Sequence, residues 1–166
     1  MTSTPPDTSA DDAGYATADT DGPHATLPTL AGQRDIYLSM QASPDPTLYI
    51  TGLYVEVDAG IDVERLRTSL LAVLDSAEAM RAVFVEEAGQ VRQRILPTAD
   101  FDVPFRDIPA AEVDQWMTAE LSRPMDVTVG PLTECTIISS LAPDGRVEAV
   151  LALLKVHHLV CDGMGL

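Results

Sequence analysis

A chain of 166 residues with 46% apolar residues is enough to build one packed domain. Its formal charge of −16 sets 26 carboxylates against Lys155 and scattered arginines, which argues against binding a nucleic-acid backbone. No run approaches the roughly 18 apolar residues of a membrane-crossing helix, and the polar N-terminus lacks the basic and apolar regions of an export signal. A soluble cytoplasmic protein is expected. Cys135 and Cys161 lie far apart without motif partners, so neither a disulfide framework nor a zinc site is suggested.

Residues 1–26 hold Asp7, Asp11, Asp12, Asp19 and Asp21, three prolines and almost no large apolar side chain. Such a segment buries too little surface to offset its ordering entropy and is expected to be a disordered acidic tail. From Leu27 the pattern changes. Leu30, Gln33, Ile36, Tyr37 and Met40 predict a short amphipathic helix that the Pro44-Asp45-Pro46 stretch terminates. Leu48–Asp58 alternates, with Leu53, Val55 and Val57 on one face, as a half-buried strand does. Asp62 is placed to cap a helix running to about Ala77, with Glu64 in its first turn. Met80–Val85 and Gln90–Leu96 flank a polar connection ending in Gly89 and predict a hairpin. Glu86 and Glu87 at its tip read as solvated carboxylates. Phe101–Phe105 is expected as a short edge strand.

Ala110–Leu121 carries Val113, Trp116, Met117 and Leu121 at helical spacing and ends at Arg123-Pro124. Leu132–Leu141 and Val147–Val156 are joined by Pro143-Asp144-Gly145-Arg146, a strong turn signal. The second run is nearly continuously apolar, which predicts a strand buried on both faces. The elements add up to an α+β layered sandwich, a mostly antiparallel sheet with helices packed on it.

That buried strand delivers His157 and His158 to a loop, followed by Asp162 and Gly163. Adjacent histidines leaving an extended strand point in opposite directions, so one can face a cavity while the other packs inward. Histidine titrates near neutrality, which suits proton transfer. Asp162 in a turn is placed to hold an imidazole or an arginine. A metal needs a third ligand and a wider spacing than adjacent histidines give, so none is expected.

His157-His158-Leu159-Val160-Cys161-Asp162-Gly163 resembles the His-His-x-x-x-Asp-Gly signature of nonribosomal peptide synthetase condensation domains, members of the chloramphenicol acetyltransferase-like acyltransferase superfamily. Three further stretches resemble that family in the right order. Leu30–Tyr37 is similar to its opening motif of Ala, Gln and an aromatic. Glu78–Phe84 is similar to its second motif, with Ser76-Ala77 standing where the family has Arg-His and Ala82 where it has Thr. Pro124–Val127 with Gly130-Pro131-Leu132 is similar to its Phe-Asp-Leu and Pro-Leu segment.

The resemblance covers residues 27–166 and implies the N-terminal lobe of a two-lobed enzyme, the second lobe being absent. It implies peptide-bond formation between a thioester donor and an acceptor amine, both carried on phosphopantetheine arms of donor and acceptor carrier proteins. No directly bound cofactor and no metal are implied. By the family pattern His158 acts on the amine as general base or as a positioner, and Gly163 offers its N–H to the developing oxyanion. His157 and Asp162 are structural, with Arg81 the candidate partner of Asp162. A thioester is already activated, so Cys161 is not assigned as a nucleophile. Epimerisation and coenzyme A-dependent acyl transfer share the histidine motif. A noncatalytic interaction module or an inactive fragment is the alternative from another class. The isolated chain is expected to be inactive, and its exposed lobe surface is expected to self-associate or to bind a complementary C-terminal lobe.

Overall fold

The fold was taken from a computed structural model, which describes residues 25–161. Residues 1–24 of the expected acidic tail, and Asp162 and Gly163, lie outside the described residues. Thr26 is buried. Its Oγ1 donates to Glu87 Oε2 at 2.8 Å and accepts from Arg92 Nε at 2.9 Å.

In chain order the elements are β1 (Leu27–Pro28), α1 (Ala31–Ala42), β2 (Ile50–Val57), α2 (Val63–Ser76), β3 (Ala82–Glu87) and β4 (Gln90–Ile95). There follow β5 (Phe105–Pro109), α3 (Val113–Leu121), β6 (Thr133–Leu141) and β7 (Val147–His157). The local signals explain most of these bounds. Gln33 Oε1 accepts the Leu30 N–H at 2.9 Å at the start of α1. Asp62 accepts the Arg65 N–H at 3.0 Å and caps α2. Ala88 and Gly89 both have positive φ, 51° and 74°, which matches the twist of the tight β3–β4 hairpin.

The strands form two sheets, a three-stranded β1-β4-β3 and a four-stranded β2-β7-β6-β5, mostly antiparallel as the layered sandwich requires. Two expectations need correction. Met80 and Arg81 belong to a 3-10 turn, Glu78–Arg81, that reverses the chain between α2 and β3. The edge strand lies at 105–109 instead of 101–105, and it runs parallel to β6. Phe101 and Val103 are drawn out of any strand by packing under α2, and the Pro104 carbonyl accepts the Ile137 N–H at 3.0 Å where the pairing begins.

The helices sandwich the larger sheet. Val113 and Met117 of α3 pack on Ile108, Ile138, Leu151 and Leu153, while Leu74 of α2 packs on Cys135, Ile137 and Val150 with Val103. β7 therefore sends successive side chains to opposite layers and is buried on both, as its apolar run predicts. A third cluster joins the two sheets at the exit of β7. Tyr37, Phe84, Leu132, Val156 and Leu159 meet there. Phe84 and Leu132 are fully buried, each contributing roughly 2–3 kcal/mol of transfer free energy. Gly130, with φ +66°, opens the approach to β6 by a cis bond to Pro131, and a Cβ there would meet Val83 Cγ1 at 2.9 Å.

Among the described residues, one fully buried side chain inside this frame is a lysine. Lys155 of β7 is 1% exposed, and its Nζ stands 3.4 Å from Glu134 Oε2 on β6. Arg123 bonds both Glu134 and Glu120 at the end of α3. Burial pushes the ammonium below its ordinary range and Glu134 opposes that shift.

Candidate active site

The backbone of residues 157–161 is held by β-sheet neighbours on two sides. The His157 N–H donates to Leu132 O just before β6 and the His158 N–H to Tyr49 O just before β2, each at 2.9 Å. The chain then turns, with the Val160 N–H on His157 O at 3.0 Å. Leu159, 1% exposed, plugs the turn into the cluster shared with Tyr37 and Phe84.

The two rings are placed differently, as alternation along a strand requires. His157 is 1% exposed, and its Nδ1 accepts the Leu159 N–H at 3.1 Å. In the neutral ring the proton therefore sits on Nε2. Burial, with His158 adding to it, pushes this imidazole down to about 4. The ring is thus enclosed, with its Nδ1 lone pair already engaged.

His158 is partly exposed, and its Nδ1 lies 3.2 Å from Cys161 O. A carbonyl only accepts, so Nδ1 carries the proton and the lone pair of the neutral ring is on Nε2. Among the described residues none engages Nε2. The ring lines an open cleft of about 490 Å³ together with Leu30, Gly32, Gln33, Met80 and Cys161. The two histidines are thus opposite tautomers, and the one facing the cleft is the one able to accept a proton.

Arg81 is close in sequence to this cleft through Met80, but its guanidinium turns to backbone. Nε donates to Leu96 O at 3.0 Å and Nη1 to Asp75 O at 2.6 Å. It thereby ties the end of α2 to the end of β4. Its expected partner Asp162, and the expected oxyanion donor Gly163, lie outside the described residues. Cys161 is buried in the cluster beneath the turn, and Cys135 lies under α2 with its thiol pushed up to about 11 by burial.

One residue of the cleft had no role assigned from sequence. Gln33 Nε2 donates to Leu159 O at 2.9 Å across 126 positions of chain, joining α1 to the histidine turn. The sequence signal was present in the opening motif, but its target was not.

The scaffold agrees with what comparison finds. A family model described as Condensation domain matches residues 24–166. The chain is 31% identical over 145 residues to an isonitrile lipopeptide synthase of Streptomyces coeruleorubidus, covering 84% of this chain and 10% of that protein. It is 29% identical over 139 residues to surfactin synthase subunit 2 of Bacillus subtilis, covering 82% of this chain and 4% of that one. The solved starter condensation domain of rhizomide synthetase superposes with a TM-score of 0.72 at 26% identity, over 84% of this chain and 34% of that chain. The first condensation domain of the calcium-dependent antibiotic synthetase shares the fold, with a TM-score of 0.74 at 19% identity, over 86% of this chain and 36% of that chain. The chain thus spans a small part of these synthases and about a third of the solved domains, and by its matching family model it belongs to the condensation-domain family.

Proposed function

We propose that this chain supplies the histidine-bearing lobe for amide-bond formation between a donor thioester and an acceptor amine in nonribosomal peptide synthesis. The observation that carries the reading is the 3.2 Å contact of His158 Nδ1 with Cys161 O in a residue that lines the cleft, which puts the lone pair of the neutral ring on Nε2. The amine nitrogen attacks the thioester carbonyl carbon, the C–S bond breaks, and His158 Nε2 receives the ammonium proton and returns it to the leaving thiolate. With an activated acyl donor, orientation and one positioned base supply much of the acceleration. Gly163 is the proposed N–H donor to the oxyanion, worth roughly 10²–10³ in rate when preorganised. Asp162, paired with Arg81, and His157 are the proposed structural supports.

Donor and acceptor peptidyl carrier proteins in the cytoplasm present the substrates on their phosphopantetheine arms, and this lobe binds no cofactor of its own. A complementary C-terminal lobe supplies the facing wall of the cleft. The test is to combine the chain with such a lobe and two loaded carrier proteins and to follow peptide transfer. His158→Ala is expected to lower the rate by roughly 10²–10⁴. Transfer that survives this substitution unchanged overturns the assignment.

A further inference from the structure

The Gln33 side chain performs two tasks that no other single side chain type of its length combines. Its Oε1 accepts the Leu30 N–H at 2.9 Å, and its Nε2 donates to Leu159 O at 2.9 Å and lies 3.5 Å from Gln93 Oε1. These partners fix the amide without ambiguity. A flipped group would set NH₂ against an N–H and oxygen against a carbonyl oxygen. The first bond belongs to α1. The second reaches the peptide between the catalytic-site histidine and the Cys161 carbonyl that holds its ring.

We propose that Gln33 is a positioning residue for His158: by holding the Leu159 carbonyl against the N-terminus of α1, it sets the path of residues 159–161 and so the Nδ1–H to Cys161 O bond that aims Nε2. The inference rests on His158 being the proton acceptor of the proposed reaction, but its structural half can be read without any reaction. The Leu159 side chain is fixed in the core, and the 159–160 peptide plane is held at its other end by the Val160 N–H on His157 O at 3.0 Å, so without the Gln33 bond the plane keeps one of its two anchors. Rotation of that plane displaces Cys161 O and releases the imidazole. A displacement of about 1 Å at a reacting group costs about 100-fold in rate.

The two bonds separate by substitution. Gln33→Glu keeps an acceptor for the Leu30 N–H, in a position where a helix N-terminus favours negative charge, and removes the donor to Leu159 O. Gln33→Lys keeps a donor and removes the cap. In the intact chain labelled with ¹⁵N, the His158 ring is expected as the Nδ1–H tautomer in the parent and in Gln33→Lys, and as a mixture in Gln33→Glu. Melting is expected to follow the cap instead, with Gln33→Glu within about 3 °C of the parent and Gln33→Lys lower. In the chain assembled with a complementary lobe, kcat is expected to fall about 100-fold in Gln33→Glu at unchanged KM, and much less in Gln33→Lys.

A merely structural glutamine would make kcat follow the melting temperature. That result, or an unchanged tautomer and kcat in Gln33→Glu, overturns the proposal. If Gln33→Glu scrambles the tautomer while His158→Ala leaves transfer intact, the positioning stands and the proposed role of His158 falls.

Discussion

Two ends of the same hydrogen-bonded ladder are finished to different degrees. At the histidine turn His157 and Leu159 are each 1% exposed, and the backbone of 157–160 has partners on the residues just before β6 and just before β2 and within the turn. Along β2 the situation reverses. Leu53, Tyr54 and Val55 are 44%, 53% and 54% exposed, and among the described residues the strand is an edge of its sheet. The bond from His158 to Tyr49 O sets the alternation, so Leu53 and Val55 turn their backbone groups to β7 while Gly52, Tyr54 and Glu56 turn theirs outward. Beside them Leu53, Val55, Leu70 and Val73 line an apolar groove of about 320 Å³. The chain therefore holds its histidine turn by its own contacts and leaves its flank unfinished. Geometry for chemistry and closure of the fold are separate properties here, and each can be perturbed alone.

The largest effect is expected where the two regions meet. Lys155 stands opposite Gly52 of β2 and Glu134 of β6 in the ladder. Gly52 leaves room for Leu121, since a Cβ there would meet Leu121 Cδ2 at 2.6 Å. Glu134→Ala removes the carboxylate beside a buried ammonium and is expected to cost about 3–5 kcal/mol in urea unfolding. Lys155→Met, which removes the charge and keeps the volume, is expected to be neutral or stabilising. If both substitutions cost the same, the pair is a net stabiliser of β7, and the histidine turn depends on it.

Next in size is the acid response of the turn. His157 is pushed down to about 4 in the folded chain from its ordinary 6.5. The unfolded state binds the proton first as pH falls, so this contribution is fully present above about 6.5 and is lost between there and about 4. The loss amounts to about 3 kcal/mol. His157→Gln is expected to remove that component from a comparison of unfolding free energies at pH 7 and pH 4, with the acid response of the carboxylates common to both proteins. An unchanged difference between the two pH values would mean that the His157 ring is not held neutral by its enclosure.

The contrast between the regions also marks what the sequence made legible. Period-3.6 and period-2 patterns located α2, the β3–β4 hairpin and β7, and the approach of two adjacent histidines from a doubly buried strand foretold their opposite orientations. Pairings between distant segments left no such local trace. β1 is two residues long and exists because Arg92 and Gln93 of β4 receive it. Lys155 falls inside an apolar run, and its partner appears only when the register puts Glu134 opposite. Gln33 belongs to a recognisable motif, but its use is defined by a carbonyl 126 residues away. The outward alternation of β2 was read correctly as Leu53, Val55 and Val57 on one face. The face was expected to be half buried, and Leu53 and Val55 are exposed because β2 is an edge and α2 covers them incompletely.

The smallest effect on stability, and the sharpest test of the unfinished flank, comes from charging that edge. An eight-residue edge strand with exposed Leu53, Tyr54 and Val55 offers outward N–H and C=O groups to any extended chain. The chain is expected to associate with increasing concentration in sedimentation velocity. Leu53→Lys and Val55→Lys place ammonium groups over the apolar groove and should change the unfolding free energy by less than about 1 kcal/mol while returning the chain to monomer. The histidine turn should not register the change, because its bonds to Leu132, Tyr49 and Leu159 lie outside the charged positions. An unchanged ¹⁵N signature of His158 in a monomeric Leu53→Lys variant would establish the independence of the two regions. A perturbed one would mean that closure of the β2 flank is transmitted through the Tyr49 carbonyl to the imidazole itself.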